Sequence, residues 1–184
     1  MLSGTTRPKQ TGGRELARIV FDEQTIARRV AELGQEITDA YPDGELLVLG
    51  LLKGSFIFLS DLVRRIDRPI QVDFLVAASY GADTVSSGNV RLLYDPETTL
   101  AGKHILLVED IVDTGRTLNR LVTLLGERHP KSLEICALLH KHIAEHLVRD
   151  ARFLGFDCPK DFIVGYGLDH AENFRHLPYI ASLT

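Results

Sequence analysis

The sequence predicts an α/β protein built on a mostly parallel, twisted sheet flanked by helices. Three observations carry this expectation. Short runs such as Leu46–Leu52 and residues 105–108 are continuously apolar, and 133–139 is apolar apart from Glu134, as strands buried on both faces require. Segments with helical periodicity alternate with those runs, an order that yields parallel pairing through crossover helices. The chain has 184 residues, 45% apolar and 25% charged, enough for one domain with a full core.

Residues 1–13 are polar and lack the apolar segment of a secretory signal. Residues 1–15 are expected to form a flexible tail and 16–184 a single domain. From Asp22 onward, Ile26, Val30, Leu33 and Ile37 recur at steps of four, three and four, which places them on one helix face. Asp22 can cap that helix by accepting from its free first-turn N–H groups. Pro42-Asp43-Gly44 ends the helix in a turn, and Leu46–Leu52 follows as a buried strand. After Lys53-Gly54-Ser55 a second helix is expected, with Phe56, Leu59, Leu62, Val63 and Ile66 inward. Residues 72–80 read as a strand. Residues 81–89 are a polar loop rich in Gly and Ser, long enough to be a lid, and 90–94 form a short returning strand. A strand at 105–108 leads to a helix over about 117–128, with Leu118, Leu121, Val122 and Leu125 on one face. A strand at 133–139 and two short ones at 153–156 and 162–166 complete the series.

The formal net charge is −4 and Lys and Arg are scattered, so no basic face marks a nucleic-acid or anionic-lipid partner. The longest apolar run is about a third of a membrane span. The two cysteines, Cys136 and Cys158, form no CxxC pair and are expected to be reduced thiols in a cytoplasmic protein.

Ligands of such sheets bind beyond the C-terminal ends of the strands. There the sequence places Glu109 and Asp110, then Asp113 in a turn, then Thr114-Gly115-Arg116-Thr117 opening a helix. Gly115 lets the backbone approach a ligand. The helix-start N–H groups and the Thr114 and Thr117 hydroxyls suit one phosphate. Glu109 and Asp110 would repel that phosphate, but they can accept from ribose hydroxyls or hold Mg²⁺. Capping alone accounts for Asp113 or Thr114. It does not account for two adjacent carboxylates at the end of an apolar strand, where desolvation opposes charge. The pattern therefore describes a site for a phosphorylated sugar. It is neither a Walker loop nor a dinucleotide fingerprint.

The run Val108-Glu109-Asp110-Ile111-Val112-Asp113-Thr114-Gly115-Arg116-Thr117-Leu118 resembles the phosphoribosyl-diphosphate signature of type I phosphoribosyltransferases. Leu52-Lys53-Gly54-Ser55, Ala78-Ser79-Tyr80-Gly81, Asp161-Phe162-Ile163-Val164-Gly165-Tyr166-Gly167-Leu168-Asp169 and Phe174-Arg175-His176-Leu177-Pro178-Tyr179 narrow the resemblance to the hypoxanthine-guanine phosphoribosyltransferases. It runs from about Ile19 to the C-terminus. It implies the type I fold, with a small hood lobe from the N- and C-terminal segments. It also implies a reaction: a 6-oxopurine displaces pyrophosphate from 5-phosphoribosyl 1-diphosphate to give a nucleoside monophosphate, IMP or GMP.

The resemblance further implies roles. Asp113 matches the general base, and Glu109 and Asp110 match the ribose and Mg²⁺ contacts. Thr114, Gly115, Arg116 and Thr117 match the 5-phosphate cradle. Lys53 and Gly54 match a diphosphate loop containing a non-proline cis peptide, and Arg175 matches a further diphosphate contact. Ser79 and Tyr80 begin the lid. Lys141 matches the donor to the purine 6-oxygen and Phe162 the ring stacked on the base. Ile163 and Asp169 match positions whose main chain reads the base edge, and Asp169 also a ligand of a second Mg²⁺. By pattern alone Lys141 would be a surface charge and Phe162 a core residue. A homodimer or homotetramer is implied.

His140-Lys141-His142 departs from the usual surroundings of that lysine, and His142 and His146 are four apart. A surface pair is the expectation there, since no Glu follows His142 as a zinc protease motif needs. Two other readings stay open: a nucleotide-sensing regulator on the same fold, and a transferase preferring xanthine. Acidic charge and retention of Asp113 favour the enzyme over the regulator. Lys141 does not separate hypoxanthine, guanine and xanthine.

Overall fold

The computed structural model describes residues 15–79, 90–141, 147–158 and 161–183. Six strands form the main sheet: β2 (Leu46–Leu52), β3 (Gln71–Ser79), β4 (Val90–Tyr94), β5 (His104–Val112), β6 (Ser132–His140) and β7 (Phe153–Asp157), in the order β4-β3-β2-β5-β6-β7. All pairings are parallel except β3 with β4 at one edge. The helices are α1 (Glu23–Ala40), α2 (Phe56–Val63) and α3 (Arg116–Gly126).

Side-chain alternation along β2 explains its unbroken hydrophobicity. Leu46 and Val48 join the core under α1 and α2, while Leu47 and Leu49 join the core under α3. On β5, Leu106 and Val108 go to the first core and Ile105 and Leu107 to the second. Asp22 caps α1, its carboxylate accepting from Thr25 N–H at 2.7 Å. Ile26, Val30, Leu33 and Ile37 are all buried, as their spacing requires.

A second sheet, in the order β1-β9-β8, joins β1 (Leu16–Phe21), β9 (Ile180–Leu183) and β8 (Ile163–Val164), all antiparallel. This is the implied hood, made from both ends of the described chain. Periodicity gave no sign of β1 as a strand.

Three expectations are corrected. Phe56 is 40% exposed, and Phe58 is buried in its place. The inward stripe of α2 is Phe58, Leu59 and Leu62, continued by Ile66 beyond the helix end. Phe56 is the first helical residue and precedes that stripe. Next, β5 continues to Val112, so Glu109 and Asp110 lie within the strand. Finally, the strand expected over 162–166 is only Ile163–Val164. Gly165, Tyr166 and Gly167 follow with φ of 103°, 51° and 101°, a left-handed run that no strand accommodates. The tail at 1–14, the lid residues 80–89, and His142 and His146 lie outside the described residues. Ser79 ends β3, but its side chain lies outside them too.

Candidate active site

The site forms where β2, β5 and β6 end. Val112 pairs with His140, and Lys141 N–H donates to Val112 C=O at 3.0 Å. That register sets the next residues, Asp113 and Lys141, side by side. Lys141 Nζ lies 3.2 Å from Asp113 Oδ2. The other Asp113 oxygen is buried with no partner among the described residues. Asp113 therefore does not serve as a helix cap: one oxygen meets a lysine and the other caps nothing among the described residues.

Gly115 has φ 75°, the left-handed conformation that glycine adopts without a Cβ penalty, and it turns the chain into α3. Having no side chain, it offers the first-turn N–H groups no side-chain cap, and a helix start is a place where an anion can bind. Thr114 and Arg116 are exposed and Thr117 is partly buried at this end.

Glu109 and Asp110 stand on β5 beneath this turn. Burial pushes the Glu109 carboxyl well above its ordinary range, and the adjacent Asp110 charge adds to the effect. Asp110 is also raised by burial, offset in part by the Ile111 N–H and the Arg175 guanidinium. Glu109 Oε2 is buried with no partner among the described residues. Two carboxyls disfavoured as anions, one with an orphan oxygen, suit a cation or sugar hydroxyls.

The 53–55 loop packs directly on this pair. The Leu52–Lys53 peptide is cis, as the resemblance implies. A Cβ on Gly54 would collide with the Asp110 carboxylate, and one on Gly167 would collide with the Gly54 carbonyl. Ser55 is fully buried and donates to Leu51 C=O at 2.7 Å, which pins the loop to β2.

The C-terminal loop closes the site. Arg175 donates to Gly167 C=O at 2.8 Å and pairs with Asp169 at 2.8 Å. Asp169 thus faces Arg175. Among the described residues no three His, Cys, Asp or Glu side chains converge as a metal cluster. Phe162 is 51% exposed, with His170 edge-on to it at 5.4 Å between ring centroids. The Ile163 side chain is buried in the core, so only its main chain could serve a ligand. A cavity of about 530 Å³ opens elsewhere, between α1, α2 and the C-terminal loop, and shares only Arg175 with the site described.

Sequence reasoning missed three neighbours of the site. Glu172 pairs with both Lys53 and Arg175. His170 packs on Phe162. Cys158, whose thiol burial pushes up, lies within reach of the Lys141 and Asp113 charges. Arg175 is only three residues from Glu172, but nothing local in the sequence marks the Glu172–Lys53 pair or Cys158, which long-range folding brings into place. Cys136 and Cys158 are both free thiols.

Residues 18–171 match the phosphoribosyl transferase domain model. The chain belongs to the phosphoribosyltransferase family. It is 48% identical over 169 residues to the hypoxanthine-guanine phosphoribosyltransferase of Dictyostelium discoideum, covering 90% of this chain and 94% of that one. It is 43% identical over 167 residues to the hypoxanthine phosphoribosyltransferase of Salmonella typhimurium, with the same coverage. The solved hypoxanthine phosphoribosyltransferase of Staphylococcus aureus superposes with a TM-score of 0.88 at 39% identity, over 92% of each chain. The narrower resemblance is thereby borne out: this phosphoribosyltransferase is similar to the hypoxanthine-guanine branch along most of its length. No helix among the described residues is long and apolar enough to cross a membrane.

Proposed function

We infer that the protein is a purine-salvage transferase that moves the 5-phosphoribosyl group from 5-phosphoribosyl 1-diphosphate to hypoxanthine or guanine, releasing pyrophosphate. One observation carries the choice of base: Lys141 Nζ and Asp113 Oδ2 sit 3.2 Å apart at the strand ends. In a 6-oxopurine the 6-oxygen and N7 are neighbours on one edge. A lysine donor for O6 and a carboxylate acceptor for N7–H, placed side by side, match that edge. A 6-aminopurine would set an amino donor against the lysine donor.

The first-turn N–H groups of α3, with Thr114 and Thr117, hold the 5-phosphate. Lys53, Gly54 and Arg175 hold the diphosphate, where the planar Arg175 fork suits two phosphate oxygens. Phe162 stacks on the base, and the main chain at Ile163 and Asp169 contacts its edge. As the bond at C1 of the sugar lengthens, positive charge grows on the ribose, and the nearby Asp113 carboxylate offsets it. Asp113 shares the N7 proton as N9 bonds to the sugar. The lid that begins at Ser79 and Tyr80 excludes water, which would otherwise hydrolyse the activated sugar.

Mg²⁺ belongs to this reading. Glu109 and Asp110 would hold one ion together with substrate oxygens, and Asp169 another. The orphan Glu109 oxygen supports the fit. When bound, the ion neutralises charge on the leaving diphosphate. The reading extends to a cytoplasmic homodimer or homotetramer. The exposed Val72, Phe74, Leu93 and Tyr94 on β3 and β4 support self-association.

The experiment is a product assay with Mg²⁺, the activated sugar and hypoxanthine or guanine. The monophosphate and pyrophosphate should form. Asp113→Asn should lower kcat about 10²–10⁴-fold while its unfolding transition stays that of the parent protein. Undiminished kcat in the Asp113→Asn variant would remove Asp113 from the chemistry.

A further inference from the structure

Both cations of the diphosphate site meet the same carboxylate. One Glu172 oxygen lies 3.2 Å from Lys53 Nζ and the other 3.4 Å from the Arg175 guanidinium. Each cation thus faces one oxygen of a single anion, as it would face separate oxygens of a diphosphate. Lys53 and Glu172 are 119 residues apart, so the fold makes the pairing rather than local sequence.

Glu172 is not needed to orient Arg175. That guanidinium is already held by Gly167 C=O and Asp169, each at 2.8 Å. The Glu172 backbone is also fixed: its N–H donates to Asp169 Oδ2 at 2.8 Å. Residues Ala171, Glu172 and Phe174 all have left-handed φ, of 50°, 62° and 77°, an unusual series for side chains other than Gly or Asn. The loop therefore presents a carboxylate, from an uncommon backbone, to two cations assigned another partner. The Glu172 side chain is 67% exposed, so an incoming anion can replace it.

We propose that Glu172 is an internal stand-in for the diphosphate, holding Lys53 and Arg175 in the free enzyme and giving way when substrate or product diphosphate binds. This rests on the diphosphate role of Lys53 and Arg175 stated above. Its consequence is tempered affinity. Exposed ion pairs shift an equilibrium by factors of about two to five. Glu172 therefore weakens diphosphate binding and hastens pyrophosphate release without blocking entry. An uncharged purine gains nothing from displacing it.

The test is titration calorimetry with inorganic pyrophosphate at fixed Mg²⁺. The proteins compared are the parent, Glu172→Gln, Lys53→Met, Arg175→Gln and the double variant Lys53→Met/Glu172→Gln. Glu172→Gln should bind pyrophosphate about two- to tenfold more tightly. It should lower KM for phosphoribosyl diphosphate and leave KM for hypoxanthine unchanged. The gain should shrink in the Lys53→Met background. Glu172→Asn, whose side chain tolerates positive φ, repeats the test if the Gln variant folds poorly. Unchanged or weaker binding in the Glu172 variants, with Lys53→Met and Arg175→Gln weakened, overturns the stand-in role alone. Parental pyrophosphate affinity in both Lys53→Met and Arg175→Gln overturns the diphosphate assignment, and this proposal with it.

Discussion

Asp113 and Lys141 show how a residue's meaning depends on its neighbour. Each alone has an ordinary reading, as a helix cap or a surface charge. At 3.2 Å from each other, beside a buried and unpartnered Asp113 oxygen, they present a donor and an acceptor on one edge. Replacing Lys141 by Met should cost about 10–100-fold in kcat/KM for hypoxanthine, the loss of one charge-assisted hydrogen bond. Adenine, which never used that donor, should be unaffected. Steady-state kinetics on the two bases check this, and equal losses on both would contradict it. Glu109 makes a second residue-scale argument. Its folded-state pKa is raised above the ordinary 4.5, so the folded protein retains a proton that the unfolded chain releases. The associated stability is full below that ordinary value and is lost as pH rises through the raised one. In metal-free protein at neutral pH, Glu109→Gln should raise Tm, by about 2–4 °C for each kcal/mol relieved. The gain should vanish as pH falls to about 4, where Glu109 is protonated in both states. Thermal melts across that range test it, and a Gln variant less stable than its parent at neutral pH would contradict it.

Elements position these residues, and much of their placement was legible in the sequence. The α1 stripe of Ile26, Val30, Leu33 and Ile37 and the Asp22 cap follow from spacing and capping chemistry. Leu46–Leu52 matches its strand residue for residue, because burial on both faces leaves an unbroken apolar run. The reach of β5 was not legible. Ladder pairing with β6 carries it past the end of the apolar run at Val108 to Val112, and a tertiary partner overrides the polar signal of Glu109 and Asp110. Phe56 and Phe58 were exchanged for a similar reason, since both fit an apolar count and only the sheet decides which turns inward. The 53–55 loop depends on backbone contact as well. Gly54 backs onto the Asp110 carboxylate with no room for a Cβ. Gly54→Ala should therefore destabilise the fold by about 1–3 kcal/mol and lower activity more than that loss explains. Urea unfolding combined with kcat/KM measures both. Full activity and full stability in the Gly54→Ala variant would refute this close packing.

At the scale of the whole molecule, the proposed sugar contacts lie on β5 and at the start of α3, and the proposed base contacts are shared between the strand ends and the C-terminal segment. The acidic strand end and the α3 N-terminus describe a phosphorylated ribose and no particular base. Lys141, Phe162 and Asp169 come from two other segments, and only the resemblance assigned them to one ligand. The fold places Lys141 beside Asp113 and leaves Phe162 half open next to His170. It sets Asp169 against Arg175. Glu172 escaped sequence reasoning because Lys53, one of its two partners, is 119 residues away in the chain. The central claim is that this assembled site transfers phosphoribose to a 6-oxopurine. The most direct test is a steady-state comparison of hypoxanthine, guanine, xanthine and adenine with the activated sugar and Mg²⁺. Hypoxanthine or guanine should have the highest kcat/KM, with adenine the poorest substrate by far. Product from adenine alone, or from no purine, would contradict the account, and a clear preference for xanthine would move its specificity to another 6-oxopurine.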